Sequence, residues 1–201
     1  MQEIEAKFYV LDLERIGRRL QALEALLIQP RILETNIRFD LPDNGLRSEG
    51  RVLRLRQDSQ ARLTYKGGSV NQQGVLKRTE IEFVVEDFAK AKQFLEALGY
   101  RRLFYYEKYR TTYQFDQCHI MLDELPYGNF VEIEGLTAES IQITAEQLAL
   151  KWDCAIPASY HVLFDRLCRK HPSLDPADLS FAALQGMNIT AADLSVQAAD
   201  D

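Results

Sequence analysis

The sequence is poor in the residues that staple small folds or hold soft metals. Three cysteines, Cys118, Cys154 and Cys168, stand scattered among 201 residues with no CxxC spacing. An odd, dispersed set excludes a disulfide framework or structural zinc and fits a reducing cytoplasm. His119, His161 and His171 also fall in no metal-ligand spacing, and each reads as a surface or packing residue. No apolar run approaches the roughly 20 residues of a membrane span. Glu3 and Glu5 stand where a signal peptide would carry a basic stretch and then an apolar one. Export and membrane insertion are therefore not expected. The formal charge of -6 argues against nucleic acid or an anionic membrane as the main partner. There is no GxxxxGK[ST] phosphate loop and no nucleophile elbow for acyl transfer, and "YKGGSVNQQG" reads as a hairpin loop. Internal repeats and low-complexity linkers are absent too.

What remains is a chain that is 46% hydrophobic and 10% aromatic, enough for the core of a single domain. Residues 1–10 read as a strand. Asp12 offers an N-cap for a helix to about Leu27, with Leu13, Ile16, Leu20, Leu23 and Leu27 at helical spacing. Strands follow over 32–41, 52–57, 62–66 and 76–85, then a helix from Asp87 to about Leu98, stopped by Gly99. Three more strands cover 100–115, 119–125 and 129–136, the last two joined at Pro126-Tyr127-Gly128. Helices are expected over 144–152, 159–170 and 176–184, and the acidic end "QAADD" is expected to fray. About eight strands with short connections point to an α+β fold: an eight-stranded antiparallel β-barrel, or a strongly curved sheet, with helices packed outside and a helical C-terminal tail.

The informative pattern is an alternation at period two. In "EIEAKF" the residues Glu3, Glu5 and Lys7 share one face of a strand. Arg54 and Arg56 do so in "VLRLRQ", Thr64 and Lys66 in "LTYKG", and Arg78, Glu80 and Glu82 in "RTEIEF". Lys108 and Arg110 share a face in "EKYR", as do Glu132 and Glu134 in "FVEIEG". The opposite faces carry Leu53, Leu55, Leu63, Tyr65, Ile81, Phe83, Val131 and Ile133, for the helices to cover. One such strand is an ordinary amphipathic strand with a wet face. Six together place their charges on the same side, and a closing sheet would turn that side into a lumen large enough for one ligand. So many buried charges require pairing or a ligand. Arg and Lys clamp phosphate oxygens, and clustered carboxylates hold hard Mg²⁺ or Mn²⁺ through oxygen.

These segments resemble the CYTH family of triphosphate tunnel metalloenzymes. "EIEAKF" is similar to its ExExK signature, and "LRLR", "TYKG", "RTEIEF", "EKYR" and "LDELPYGNFVEIEG" follow in the family's order. The resemblance implies a tunnel domain over residues 1–171 and a helical extension over 172–201. It implies metal ligation by Glu3, Glu5, Glu132 and Glu134, supported by Asp123, Glu80 and Glu82. The triphosphate cradle would be Lys7, Arg54, Arg56, Lys66, Arg78, Lys108 and Arg110, and a helix near Ser159 would close one tunnel mouth. Lys7 would stand near the reacting phosphate as the catalytic residue, or serve as an ion-pair partner of Glu5 or a neighbouring strand. One departure is "ETNIRFD", where Arg38 replaces the family's aromatic residue.

The implied function is metal-dependent chemistry on a small-molecule triphosphate in the cytoplasm, without nucleic acid or membrane, in a chain able to form a homodimer. Three readings stand. In the first, the run from Leu98 to Gly135 resembles the class IV adenylate cyclase form, which converts ATP to cyclic AMP and pyrophosphate. The second is hydrolysis of tripolyphosphate, thiamine triphosphate or a nucleoside triphosphate. The third is a polyphosphate-binding module without turnover.

Overall fold

The computed structural model describes residues 4–67, 70–72, 75–77 and 79–201. In chain order the elements are β1 (Ile4–Val10), α1 (Leu13–Ala22), β2 (Leu26–Asp40), α2 (Gly45–Ser48), β3 (Val52–Gln57), β4 (Ala61–Lys66), β5 (Val70–Gln72), β6 (Val75–Lys77), β7 (Glu80–Val85), α3 (Phe88–Ala97), β8 (Arg101–Phe115), β9 (Cys118–Leu125), β10 (Gly128–Gly135), α4 (Ala138–Gln147), α5 (Tyr160–Lys170), β11 (Asp178–Leu179) and α6 (Ala191–Leu194). The architecture is α+β. One antiparallel sheet runs β1-β10-β9-β8-β2-β3-β4-β7, β11 joins β8 in parallel, and β5 and β6 form a separate pair. No helix among the described residues is long and apolar enough to cross a membrane.

The closed barrel expected from the sequence is not what the hydrogen bonds make. β1 and β7 end the strand order, and among the described residues no ladder joins them. Part of the outer edge of β1, at Lys7 and Tyr9, already has other partners. Lys7 O accepts from Ile156 N at 2.7 Å, Tyr9 O accepts from Ala199 N at 2.9 Å, and Tyr9 and Ala198 form a parallel bridge. An occupied edge has no donors and acceptors left for another strand.

Each helix forms where capping and an apolar stripe coincide. Asp12 caps α1 by accepting from Arg15 N at 2.8 Å, and Ile16 and Leu20 are fully buried against Phe8, Ile120, Val131 and Ile133. This helix stops at Ala22 instead of continuing to Leu27, because Glu24 turns left-handed (φ 57°) and the apolar run that follows pairs with the far half of β8. Register shifts flank Pro30, whose missing N–H interrupts the ladder there. Asp87 caps α3, and Gly99 (φ 91°) follows its end. Thr137 caps α4 earlier than the sequence pattern suggests, so Ile141, Thr144 and Ala145 become its buried stripe, and Ala149 (φ 52°) turns the chain before Trp152. α3 covers Leu53 and Leu55 but leaves Ile81 and Phe83 more than half exposed, so the apolar face expected under helices is only partly covered. In the turn from β9 to β10, Gly128 has φ 140°, and a Cβ there would meet the Tyr9 ring at 2.7 Å. No side chain fits at that position.

The C-terminal segment departs most from expectation. A helix over 176–184 does not form, and the only helix beyond α5 is the four-residue α6. The first half of β8 extends past β9, which pairs only with Tyr109–Phe115. β11 takes that edge opposite Tyr105 and Tyr106. Nor does the end fray: Ala199 is fully buried, and the Asp200 carboxylate accepts from Leu11 N at 2.8 Å and Asp12 N at 3.0 Å beside Arg15. Removing a buried carboxylate with these charged hydrogen bonds costs about 2 kcal/mol. Asp200→Ala is expected to lower the Tm by roughly 4–8 °C. A Tm equal to wild type would show that the strap adds nothing to stability.

Candidate functional site

The side chains that share the inner face of the sheet meet in one cavity of about 410 Å³. Glu5 and Lys7 reach it from β1, Glu132 and Glu134 from β10, and Lys108 and Arg110 from β8. Arg54 and Arg56 reach it from β3, Lys66 from β4, and Glu80 and Glu82 from β7. Residues from both end strands thus face the same space, which requires a strongly curved sheet even without a closing ladder. Glu3 and Arg78 lie outside the described residues. Asp123 does not line the cavity; it is fully buried beneath its floor.

Asp123 organises that floor. Arg110 donates to it through Nε and Nη2, both at 2.6 Å, Lys108 Nζ lies 3.1 Å away, and the Tyr160 hydroxyl donates at 2.8 Å. Burial, with Asp123 and Glu132 adding to it, raises the Tyr160 pKa well above the usual range, so the phenol remains a donor. Glu132 contacts Arg110 and lies 3.0 Å from Lys7 Nζ. Burial would raise its pKa, but Arg110, Lys108 and Lys7 outweigh burial and keep the carboxyl ionised. Lys7 also sits 4.3 Å from the Tyr160 ring centroid and 3.9 Å from Glu5. It is therefore an ion-pair partner of β10 that lines the cavity at the same time.

Arg54 and Arg56 are held less tightly. Arg54 is 3.8 Å from Glu82, and Thr64 donates to that carboxylate at 2.6 Å. Arg56 lies 3.9 Å from Glu34, while Lys66 pairs with Glu80 at 3.0 Å. The Nε–H groups of Arg54 and Arg56 are buried with no protein acceptor. A buried donor without an acceptor costs free energy until an oxygen reaches it.

Several lining residues escaped the sequence reading. Glu34, Asn36 and Arg38 share the inner face of β2, the first opposite Lys108 and the other two opposite Arg56 and Arg54. The period-two rule applied to "LETNIRFD" would have found them. Phe104 and Tyr106 continue the inner face of β8, and Ser159, Tyr160 and His161 enter from the start of α5, which closes one end. His161, read as a packing or surface residue, lines the cavity; only the fold brings α5 there. A second cavity shares Glu34, Arg56, Glu82, Arg110 and Glu134 and opens beside Ile28, Ile32 and His119.

Seven cationic and six anionic side chains line the first cavity, in a chain whose net charge is -6. The lining is thus nearly balanced in charge, and a mixed set of this kind suits an anion and a cation held together. Residues 1–151 match the CYTH domain. The chain belongs to the CYTH domain family. A CYTH relative from Methanocaldococcus jannaschii, provisionally named an adenylate cyclase, is 29% identical over 136 residues, covering 67% of this chain and 77% of that protein. Adenylate cyclase CyaB of Aeromonas hydrophila is 28% identical over 139 residues, covering 67% and 69%. A solved Vibrio parahaemolyticus structure shares the fold at TM-score 0.70 and 21% identity, over 80% of this chain and 95% of that one. A Hippeastrum protein, described as a proposed adenylyl cyclase with a dominant triphosphatase activity, aligns at TM-score 0.59 and 17% identity, over 89% and 100%.

Glu34 is the least exposed of the acids lining this CYTH cavity. Burial pushes its carboxyl up, but Lys108, Arg110 and Arg56 prevail and hold it at about 2. A depressed carboxylate contributes stability that is present above its unfolded pKa and lost as pH falls through the folded one, here between about 4.5 and 2. Glu34→Gln is expected to remove stabilisation on the order of 3 kcal/mol at pH 7 and to flatten the Tm curve across that window. Parallel Tm–pH curves for variant and wild type would show that Glu34 ionisation is not linked to folding.

Proposed function

We propose that this CYTH protein is a divalent-metal-dependent enzyme acting on a triphosphate, with cyclisation of ATP to cyclic AMP and pyrophosphate as the leading reaction. The supporting observation is the single cavity in which guanidinium and ammonium groups from β3, β4 and β8 face carboxylates from β1 and β10. The names of two relatives favour the cyclase among the readings that this cavity allows.

Among the described residues no three acidic, His or Cys groups gather into a metal-binding cluster. Glu5 and Glu134 are nonetheless direct cross-strand partners at the cavity wall. An all-carboxylate set fits a hard cation such as Mg²⁺ or Mn²⁺, with Glu132, Glu80 and Glu82 around the same space. A cation bound there would neutralise phosphate charge and stabilise the leaving group. Asp123, pinned under Lys108 and Arg110, takes the role of anchor for the cradle in this reading.

Arg54, Arg56, Lys66, Lys108 and Arg110 bind the phosphate oxygens, with Arg78 as a further contributor. In the cyclase reaction the ribose 3′-oxygen bonds to the α-phosphorus as its proton passes to solvent water. The bond from that phosphorus to the β-bridging oxygen breaks, and pyrophosphate departs. Lys7 places its ammonium at the reacting phosphate and steadies developing negative charge. Positioning and charge stabilisation of this kind supply most of the barrier lowering in phosphoryl transfer. Hydrolysis, with water attacking the terminal phosphorus, is the second reading; the activity described for the Hippeastrum protein favours it.

The deciding experiment incubates the pure protein with Mg²⁺ or Mn²⁺ and ATP, tripolyphosphate or thiamine triphosphate, then separates cyclic AMP, pyrophosphate and orthophosphate. Cyclic AMP with pyrophosphate supports the cyclase, orthophosphate supports the hydrolase, and neither product rejects both. Two variants test the roles. Glu5→Ala should lose turnover at limiting Mg²⁺ and recover partly in excess Mn²⁺. Lys7→Ala should lose roughly 10²-fold in kcat with no rescue by metal. Near-normal kcat with a lowered Tm would leave Lys7 as the ion-pair partner of Glu132 alone.

A further inference from the structure

Arg38 lies outside the basic set that the sequence pattern supplies, on the strand where this chain departs from the family. It stands cross-strand from Arg54 on one side and Phe104 on the other, at the α5 end of the cavity. Its Nη1 is 3.1 Å from His161 Nδ1. The imidazole stacks face to face on Phe104, with centroids 4.2 Å apart and planes 9° apart, so its orientation is fixed by packing. Its other nitrogen faces Asp165 at 3.6 Å. Burial lowers the His161 pKa, Asp165 opposes, and Arg38 and Arg47 add to the lowering. The ring is therefore neutral at pH 7, with the Nδ1 lone pair accepting from Arg38 and the Nε2–H directed to Asp165.

We propose that Arg38, aimed by His161, grips the phosphate end of the substrate that lies against α5, and that His161 is its positioning residue. The inference rests on the triphosphate reading above. A hydrogen bond to a neutral ring orients a guanidinium without cancelling its charge, unlike a carboxylate contact. Arg38 and Arg54 are direct cross-strand partners lining the cavity, and an Arg fork matches phosphate oxygens in a bidentate way. Away from α5, the second cavity that shares Glu34 and Arg56 opens beside Ile28 and Ile32 together with Asp58 and Arg62. Substrate selection in this chain then includes a contact that the family pattern lacks.

The test is calorimetric titration with inorganic tripolyphosphate, in chelator and again with Mg²⁺, with the Tm of each variant measured alongside. Arg38→Ala should weaken binding at least tenfold, and Arg38→Lys less, since charge stays while the fork is lost. His161→Leu should weaken binding in the same direction. His161→Gln should restore it, because a side-chain carbonyl can accept from Arg38. The double variant Arg38→Ala/His161→Leu should lose no more than Arg38→Ala alone. Arg56→Ala is the reference: if it weakens binding while Arg38→Ala and Arg38→Lys do not, this inference is wrong and the triphosphate reading stands. Unchanged binding in His161→Leu, beside a weak Arg38→Ala, overturns the positioning role. Wild type that binds no tripolyphosphate in either condition removes the triphosphate reading and this inference with it.

Discussion

Asp123 is one carboxylate with no exposed surface, and it receives a bidentate arginine, a lysine and a tyrosine hydroxyl. A carboxylate so buried would be intolerable without those partners. In satisfying it they are fixed in turn. Arg110 and Lys108 leave the floor of β8 at defined angles, and Tyr160 ties the start of α5 to the sheet. Lys7, packed over the Tyr160 ring, is held between that ring and Glu132. The charged floor, the helix that closes one end and the opening strand all refer back to this carboxylate.

The edge of β1 supplies the second constraint. Strand β1 carries Glu5 and Lys7, yet the sheet does not return to pair with it. Ile156 and Ala199 pair with its backbone instead, and Asp200 accepts from Leu11 N and Asp12 N in the turn between β1 and α1. The segment after α5 therefore acts on the site at a distance by fixing the strand that presents it. Leu179, Leu184 and Leu194 bury themselves in the same apolar cluster as Tyr160, Phe164 and Leu167. The chain thus seals α5 against the sheet from behind.

These two constraints explain what could be read from sequence. Period two is a local property, so inner-face residues such as Arg54, Arg56, Glu132 and Glu134 were legible wherever the strand was. The same rule covered Glu34 and Arg38, but the mixed "ETNIR" stretch lacks the repeated like charges that drew notice elsewhere. Depth is not local. Nothing in "LDEL" separates Asp123, buried under two cations, from Glu134 at the wall, because the difference comes from what α5 and β8 place above them. The tail misled for a related reason: 176–184 is helical in composition, yet the free edge of β8 offered backbone partners that a helix there would have left unpaired.

Distances divide the cavity's ion pairs into two kinds. Arg110, Lys108 and Lys7 meet Asp123 and Glu132 at 2.6 to 3.1 Å in nearly dry surroundings, and breaking one such contact strands a buried charge. Arg54 and Arg56 stand 3.8 and 3.9 Å from their carboxylates, and each keeps a buried Nε–H without an acceptor. An arriving anion gains least from the first group, whose charges are already neutralised at short range. It gains most from the second, where loose pairing can be exchanged and unmet donors satisfied. Under the proposed function, phosphate binding therefore draws most on the loose pairs, while Arg110, Lys108 and Lys7 meet the ligand from positions already fixed by their carboxylates. Arg38 on β2 stands directly beside Arg54 of the loose pairs, and the Glu5 and Glu134 carboxylates line the same cavity from β1 and β10.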